Sequence, residues 1–107
     1  MLCFRSWGFY LVLGQGKHWK AKLLYFRSGK KISHQYHNQR NELWCVVFGG
    51  GILSINNQKK PLMKGETAQI FVNDWHQFLA HVPTLILEIQ YGPLCSESDI
   101  VRTANAL

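Results

Sequence analysis

Within the stretch GKKISHQYHNQRNELWCVVFG, Gly29 to Gly49, an amide, an imidazole and a carboxylate follow one another as Gln35, His37 and Glu42. Nitrogen and oxygen donors of these kinds suit a borderline divalent cation. The same side chains could equally decorate a strand and the turn after it, so residue type alone leaves both readings open. Parity is more informative. Residues two apart on a strand point to one face, which groups Ser33, Gln35 and His37 and sets His34 and Tyr36 on the other side. By the same rule Lys20, Lys22, Leu24 and Phe26 share a face, and so do Glu88 and Gln90. Polar side chains at inward parity are costly unless they are paired or bound to something. A ligand cavity would offset that cost.

The elements that must hold these residues are short apolar runs separated by turn signals. FYLVL (9–13), WKAKLLYF (19–26), ISHQYH (32–37), LWCVVF (43–48), ILSI (52–55), TAQIFV (67–72), QFLAHV (77–82) and LILEIQYG (85–92) recur at near-regular spacing. Between them lie GQGK, RSGKK, NQRN, GGG, NNQKK, NDW and Pro83. That rhythm predicts an all-β sandwich or barrel. NNQKK reads as an Asn-rich hairpin turn. GGG lacks the Lys-Ser/Thr and following helix of a phosphate loop, so a sharp turn is expected there. From Ser96 onward, SESDIVRTANAL reads as helical, with Ser96 or Ser98 as N-cap.

A chain of 107 residues with 47% apolar and 17% charged residues fits one globular domain. The net charge of +6 comes from lysines and arginines scattered along the chain. No nucleic-acid-binding signature accompanies them, so the charge points to a basic surface or a phosphorylated small molecule. Cys3, Cys45 and Cys95 are odd in number and far apart, which favours a reducing compartment over a disulfide framework. FYLVL is too short for a signal sequence, and no apolar run is long enough to span a membrane. A cytoplasmic location is therefore expected, with neither a nucleic acid nor a membrane as partner.

The spacing carries more. From Gly29 the chain runs five residues to Gln35, one to His37, four to Glu42 and six to Gly49. This resembles the first cupin motif, with glutamine in place of the first histidine. From Gly65, five residues lead to Phe71, one to Asn73 and two to His76, a spacing similar to the second cupin motif. Within the cupins, SWGFYLVL, KAK, ISHQYHNQRNELW and LEIQYGPLCSESDIVR resemble the type II phosphomannose isomerase cupin, over about residues 5–103. The histidine-rich run HHHRAEHW usual in that family reads HNQRNELW here, with Asn38, Gln39 and Leu43 at histidine positions.

The resemblance implies a double-stranded β-helix, or jelly-roll barrel, as one domain over 1–107, with the barrel about 5–95 and a helical or irregular tail 96–107. It implies that Gln35, His37, Glu42 and His76 bind one divalent metal ion, zinc first, with manganese, iron or nickel as alternatives. The matching activity is interconversion of an aldose and a ketose phosphate, of the mannose-6-phosphate isomerase kind, in sugar-nucleotide and polysaccharide precursor metabolism. Lys22 and Glu88 are the candidate catalytic groups. Lys20, Arg40, Gln90 and Arg102 are the candidate substrate-binding groups. Glu88 is also expected to pair with Lys22. The resemblance implies a homodimer. In many bacteria this cupin follows a guanylyltransferase, and guanylyl transfer is not expected of 107 residues. Two other functions fit the same ligands: a non-catalytic sugar-binding or regulatory cupin, and another metal-dependent cupin enzyme, either a dioxygenase or a lyase.

Overall fold

The structure is a computed structural model that describes residues 1–103. Strands follow in the order β1 (Leu2–Arg5), β2 (Gly8–Gln15), β3 (Trp19–Phe26), β4 (Gln35–Tyr36), β5 (Asn41–Phe48), β6 (Gly50–Ile55), β7 (Gln58–Met63), β8 (Thr67–Ile70), β9 (His76–Ala80), β10 (Thr84–Tyr91) and β11 (Val101–Arg102). They form a six-stranded sheet ordered β1-β2-β3-β10-β5-β8 and a five-stranded sheet ordered β11-β4-β9-β6-β7. All the pairings are antiparallel.

Alternation on four strands builds the interior and divides it in two. On β3 the buried row runs Phe26, Leu24, Lys22, Lys20. On β10 it runs Thr84, Ile86, Glu88, Gln90, and on β5 Val46, Trp44, Glu42. On β9 it runs Ala80, Phe78, His76. Cross-strand register sets Glu88 opposite Lys22 and Trp44, and Gln90 opposite Lys20 and Glu42. The apolar members therefore gather at one end as a core of Leu24, Phe26, Trp44, Val46, Phe78 and Ile86. The polar members gather at the other end. Phe78 meets Phe26 and Trp44 edge-on, at centroid separations of 5.1 and 6.1 Å, the geometry aromatic quadrupoles favour.

The eight expected strands are present, with shifted ends. The run 32–37 keeps a ladder only at Gln35–Tyr36. Three strands escaped the sequence pattern. β7 lies inside the residues read as a turn: Asn56 and Asn57, at φ of 49° and 69°, make the whole two-residue hairpin, and Gln58 already pairs with Ile55. Positive φ at both central residues is what a type I′ turn requires. Pro61 is tolerated because β7 is an edge strand, where a missing N–H breaks no ladder. GGG is a turn only at Gly49, where φ is +81° and a Cβ would strike the carbonyl of Pro83; Gly50 and Gly51 belong to β6.

The helix expected from Ser96 is corrected: among the described residues the tail holds no helix. The Ser98 N–H does reach Ser96 Oγ, at 3.2 Å, but this closes a turn, and β11 then pairs with β4. Tertiary anchors win over local propensity, because Ile100 lines the cavity and the Asp99 carboxylate binds backbone in another loop. Residues 104–107 of the expected tail lie outside the described residues. No helix of the described residues is long and apolar enough to cross a membrane.

Candidate metal centre

His37, Glu42 and His76 present ligand atoms that all lie within 4.8 Å of one another. All three are buried. His37 follows β4, Glu42 enters on β5 from the opposite sheet, and His76 opens β9, where it pairs with Gln35. Gln35 lines the same cavity and accepts from Ser33 Oγ at 3.4 Å. His37, Glu42 and His76 thus converge with Gln35 beside them, Glu42 coming from the six-stranded sheet and the other three from the side of the five-stranded one.

Backbone carbonyls set the imidazoles. His37 Nδ1 lies 2.6 Å from the Asp99 carbonyl oxygen, and His76 Nδ1 lies 3.0 Å from that of Asp74. A carbonyl can only accept, so each Nδ1 carries the proton and each Nε2 keeps a free lone pair. Arg40 confirms the tautomer of His37, since a guanidinium can only donate and its Nη2 lies 3.2 Å from His37 Nε2. The lone pairs face Glu42: His37 Nε2 is 3.2 Å from Oε2, and His76 Nε2 is 3.8 Å from Oε1. With both rings neutral these are acceptor–acceptor approaches that a cation would relieve, as the Arg40 Nη2 does at His37. Donors sharing one ion at about 2.0–2.2 Å stand roughly 3.0–3.6 Å apart in tetrahedral or octahedral arrangements, so the His37 separation already matches and the His76 one is a few tenths of an ångström too long. Among the described residues, His76 Nε2 is buried with no hydrogen-bond partner. The donor set therefore fits a divalent ion, and Trp44 Nε1, donating to Glu42 Oε1 at 3.1 Å, orients the carboxylate as an outer partner does.

Burial alone would raise the Glu42 carboxyl, but His76, Arg40 and His37 outweigh it and hold the group at about 2. Burial pushes His37 below its ordinary value, which keeps it neutral. Glu88 behaves oppositely. Burial and the nearby Glu42 charge push it up to about 8 against the pull of Lys22, Arg40 and the Gln90 amide.

The cavity, about 130 Å³, is lined by Lys22, Gln35, His37, Arg40, Glu42 and Glu88, with Arg102, Glu97 and Ile100 from the tail. The expected Lys22–Glu88 pair is corrected. The two stand opposite in register, yet Lys22 Nζ meets Glu97 Oε2 at 2.6 Å, and Glu88 Oε1 accepts from Gln90 Nε2 at 2.7 Å. Ionised Glu97 offers Lys22 a better partner than a carboxyl that holds its proton. Lys20 also reaches Glu97, at 3.2 Å, from the rim. Gln90 sits behind Glu88 rather than on the cavity wall, and Arg102 reaches Ser33 Oγ at 3.0 Å. Glu97, Asp99, Trp44, Tyr10 and Arg5 were not singled out from the sequence as site residues. Parity on β5 points to Trp44, and inward lysines without an acidic strand partner call for a carboxylate such as Glu97 from elsewhere.

Two antiparallel sheets closing over a polar end define a cupin fold. The structure superposes on an RmlC-like cupin from Shewanella frigidimarina with a TM-score of 0.80 at 14% identity, covering 92% of this chain and 86% of that one. It superposes on a mutant oxalate decarboxylase of Bacillus subtilis with a TM-score of 0.85 at 11% identity, over 95% of this chain and 30% of that one. The family model described as "Mannose-6-phosphate isomerase C-terminal" matches residues 1–105, and the chain belongs to that family. Mannose-1-phosphate guanylyltransferases of Salmonella typhimurium and Escherichia coli are 30% and 29% identical to it, over 92% and 95% of the chain. The chain spans 21% and 22% of those two relatives.

Proposed function

We propose that the protein is a metal-dependent aldose–ketose isomerase for a phosphorylated sugar, of the mannose-6-phosphate type. The observation that carries this reading is the convergence of two imidazole lone pairs on one carboxylate, with His76 Nε2 buried and unpartnered. Gln35, His37, Glu42 and His76 would hold the ion. Such an ion, zinc before manganese, iron or nickel, acts as a Lewis acid on substrate oxygens.

The remaining work falls to the chain's own groups. An isomerase must move a proton between neighbouring carbons through an enediol. Glu88 lines the cavity, and a carboxyl held at about 8 can give and take a proton near neutral pH. Lys22 and Lys20 supply the positive charge a phosphate needs, with Glu97 as the anion it displaces. The Arg102 guanidinium holds Ser33, which in turn donates to Gln35. Asn38, Gln39 and Leu43, at positions where the family carries histidines, are exposed, so these changes leave the cage intact. Apolar residues exposed on the outer face of the six-stranded sheet, Leu13, Leu43 and Val47, support a homodimer.

The test is conversion of mannose 6-phosphate to fructose 6-phosphate by metal-loaded protein, with His37→Ala as control. Metal-dependent turnover well above the control is expected. Metal and sugar-phosphate binding without turnover would replace this reading with a non-catalytic sugar-binding cupin.

A further inference from the structure

Arg40, expected at the substrate, lines the cavity, and its side chain also reaches into the cage. It is 5% exposed. Its Nε and Nη2 donate to Glu42 Oε2 at 3.0 and 2.9 Å, and Nη2 also donates to His37 Nε2 at 3.2 Å. Nη1 donates to the Ser96 carbonyl at 2.9 Å. Because His37 Nδ1 holds its proton for Asp99, the lone pair on Nε2 is the only one the ring can offer. A guanidinium N–H and a metal ion cannot share it. The other half of the cage differs: among the described residues no donor reaches His76 Nε2.

We propose that Arg40 is the resident cation of the cage, and that a divalent ion binds by exchange with it. His37 and Glu42 would hold such an ion only once the guanidinium has left them. Without metal, Arg40 keeps two facing acceptors from repelling each other. With metal bound, its charge would face a dication inside a poorly screened site, which drives it outward. The inference rests on the metal reading above, and extends it by making affinity the difference between two cations.

The experiment compares Co²⁺ and Zn²⁺ binding to the wild-type chain and to Arg40→Met, which keeps much of the side-chain length without charge or donors. Calorimetry and the visible Co²⁺ spectrum give the affinities. Arg40→Met is expected to bind metal about tenfold more tightly, the effect of about 1.4 kcal/mol. Equal or weaker binding by the variant, with wild-type binding intact, overturns the exchange and leaves the metal reading standing. Binding by the variant alone supports Arg40 as resident cation and overturns metal loading of the natural chain. No binding by either, with both folded by circular dichroism, overturns both. The wild-type chain gives a readout that does not depend on the variant folding. The Arg40 Nε–H proton in nuclear magnetic resonance should be protected from exchange without metal and lose that protection on Zn²⁺ saturation. Retained protection while Zn²⁺ binds overturns the proposal.

Discussion

The two poles of the cavity are held in different ways. At the inner pole, His37 and His76 are fixed by main-chain carbonyls and Glu42 by Trp44 and Arg40, all buried. At the mouth, Lys20 and Lys22 meet one carboxylate, Glu97, whose side chain is 45% exposed and comes from the irregular tail. Backbone anchors leave the inner pole nothing to rearrange except Arg40. The mouth depends on a side chain that water can compete for. Ligand geometry is therefore built in at one end, and adjustable charge is placed at the other.

The sharpest way to break this contrast is Glu42→Gln. It leaves Arg40 buried without its counter-ion, and breaking a buried pair costs about 3–5 kcal/mol. Urea unfolding is expected to show a loss of that order, together with loss of metal binding. A loss under about 1 kcal/mol would mean that the inner pole is no more rigid than the mouth.

Glu88 stands between the poles and should show in the pH dependence of stability. Its value is raised in the folded state to about 8, so the folded chain binds the extra proton, and stability from this group falls as pH rises from about 4.5 to 8. Glu88→Gln mimics the protonated carboxyl. The variant is expected to match the wild type near pH 4.5 and to exceed it increasingly up to pH 8, by roughly 4 kcal/mol. Melting curves across that range decide it; parallel curves would remove Glu88 as a neutral-pH proton carrier.

Asp99→Asn loosens the inner pole from outside. The Asp99 carboxylate accepts the backbone N–H groups of Asn38 and Gln39 at 3.0 and 2.8 Å, while its carbonyl fixes His37. About 1–2 kcal/mol of stability and roughly tenfold in metal affinity should be lost. Calorimetric affinity unchanged from wild type would show that the turn holds without the carboxylate.

The smallest stability effect belongs to the mouth. Glu97→Gln should cost about 1 kcal/mol, because Lys20 and Lys22 are buried but the carboxylate they share is 45% exposed and screened by water. It should also strengthen binding of inorganic phosphate about threefold, because the competing anion is gone. Weaker phosphate binding would make Lys20 and Lys22 structural.

Much of this arrangement was legible in the sequence because period-two alternation survives in β3, β5 and β10. Lys20 and Lys22 share one face by parity in the sequence, and Glu88 shares one with Gln90, as the strands then show. The pairing of the charges was not legible. Parity says which side chains face the interior, not which find each other, so the expected Lys22–Glu88 pair fails although the two stand opposite in register, and Glu97 takes Lys22. Glu97 and Asp99 act through chain separations of roughly sixty to seventy-seven residues, which no local pattern encodes. Local propensity gave the tail a helix, and contacts with that distant loop overruled it. β7 was hidden because its exposed Gln58-Lys59-Lys60-Pro61 reads as turn composition, while its partner β6 supplies the strand signal.

Trp44 adds an optical property to the inner pole. Its indole N–H touches Glu42, and its ring lies 6.1 Å from that of His76 and nearly perpendicular to it. The other tryptophans, Trp7, Trp19 and Trp75, are more exposed. The blue-most part of the emission therefore belongs to the one indole that touches the cage. A quenching cation held there would darken that component before the redder light of the others, so the protein carries its own fluorescent gauge of what occupies its centre.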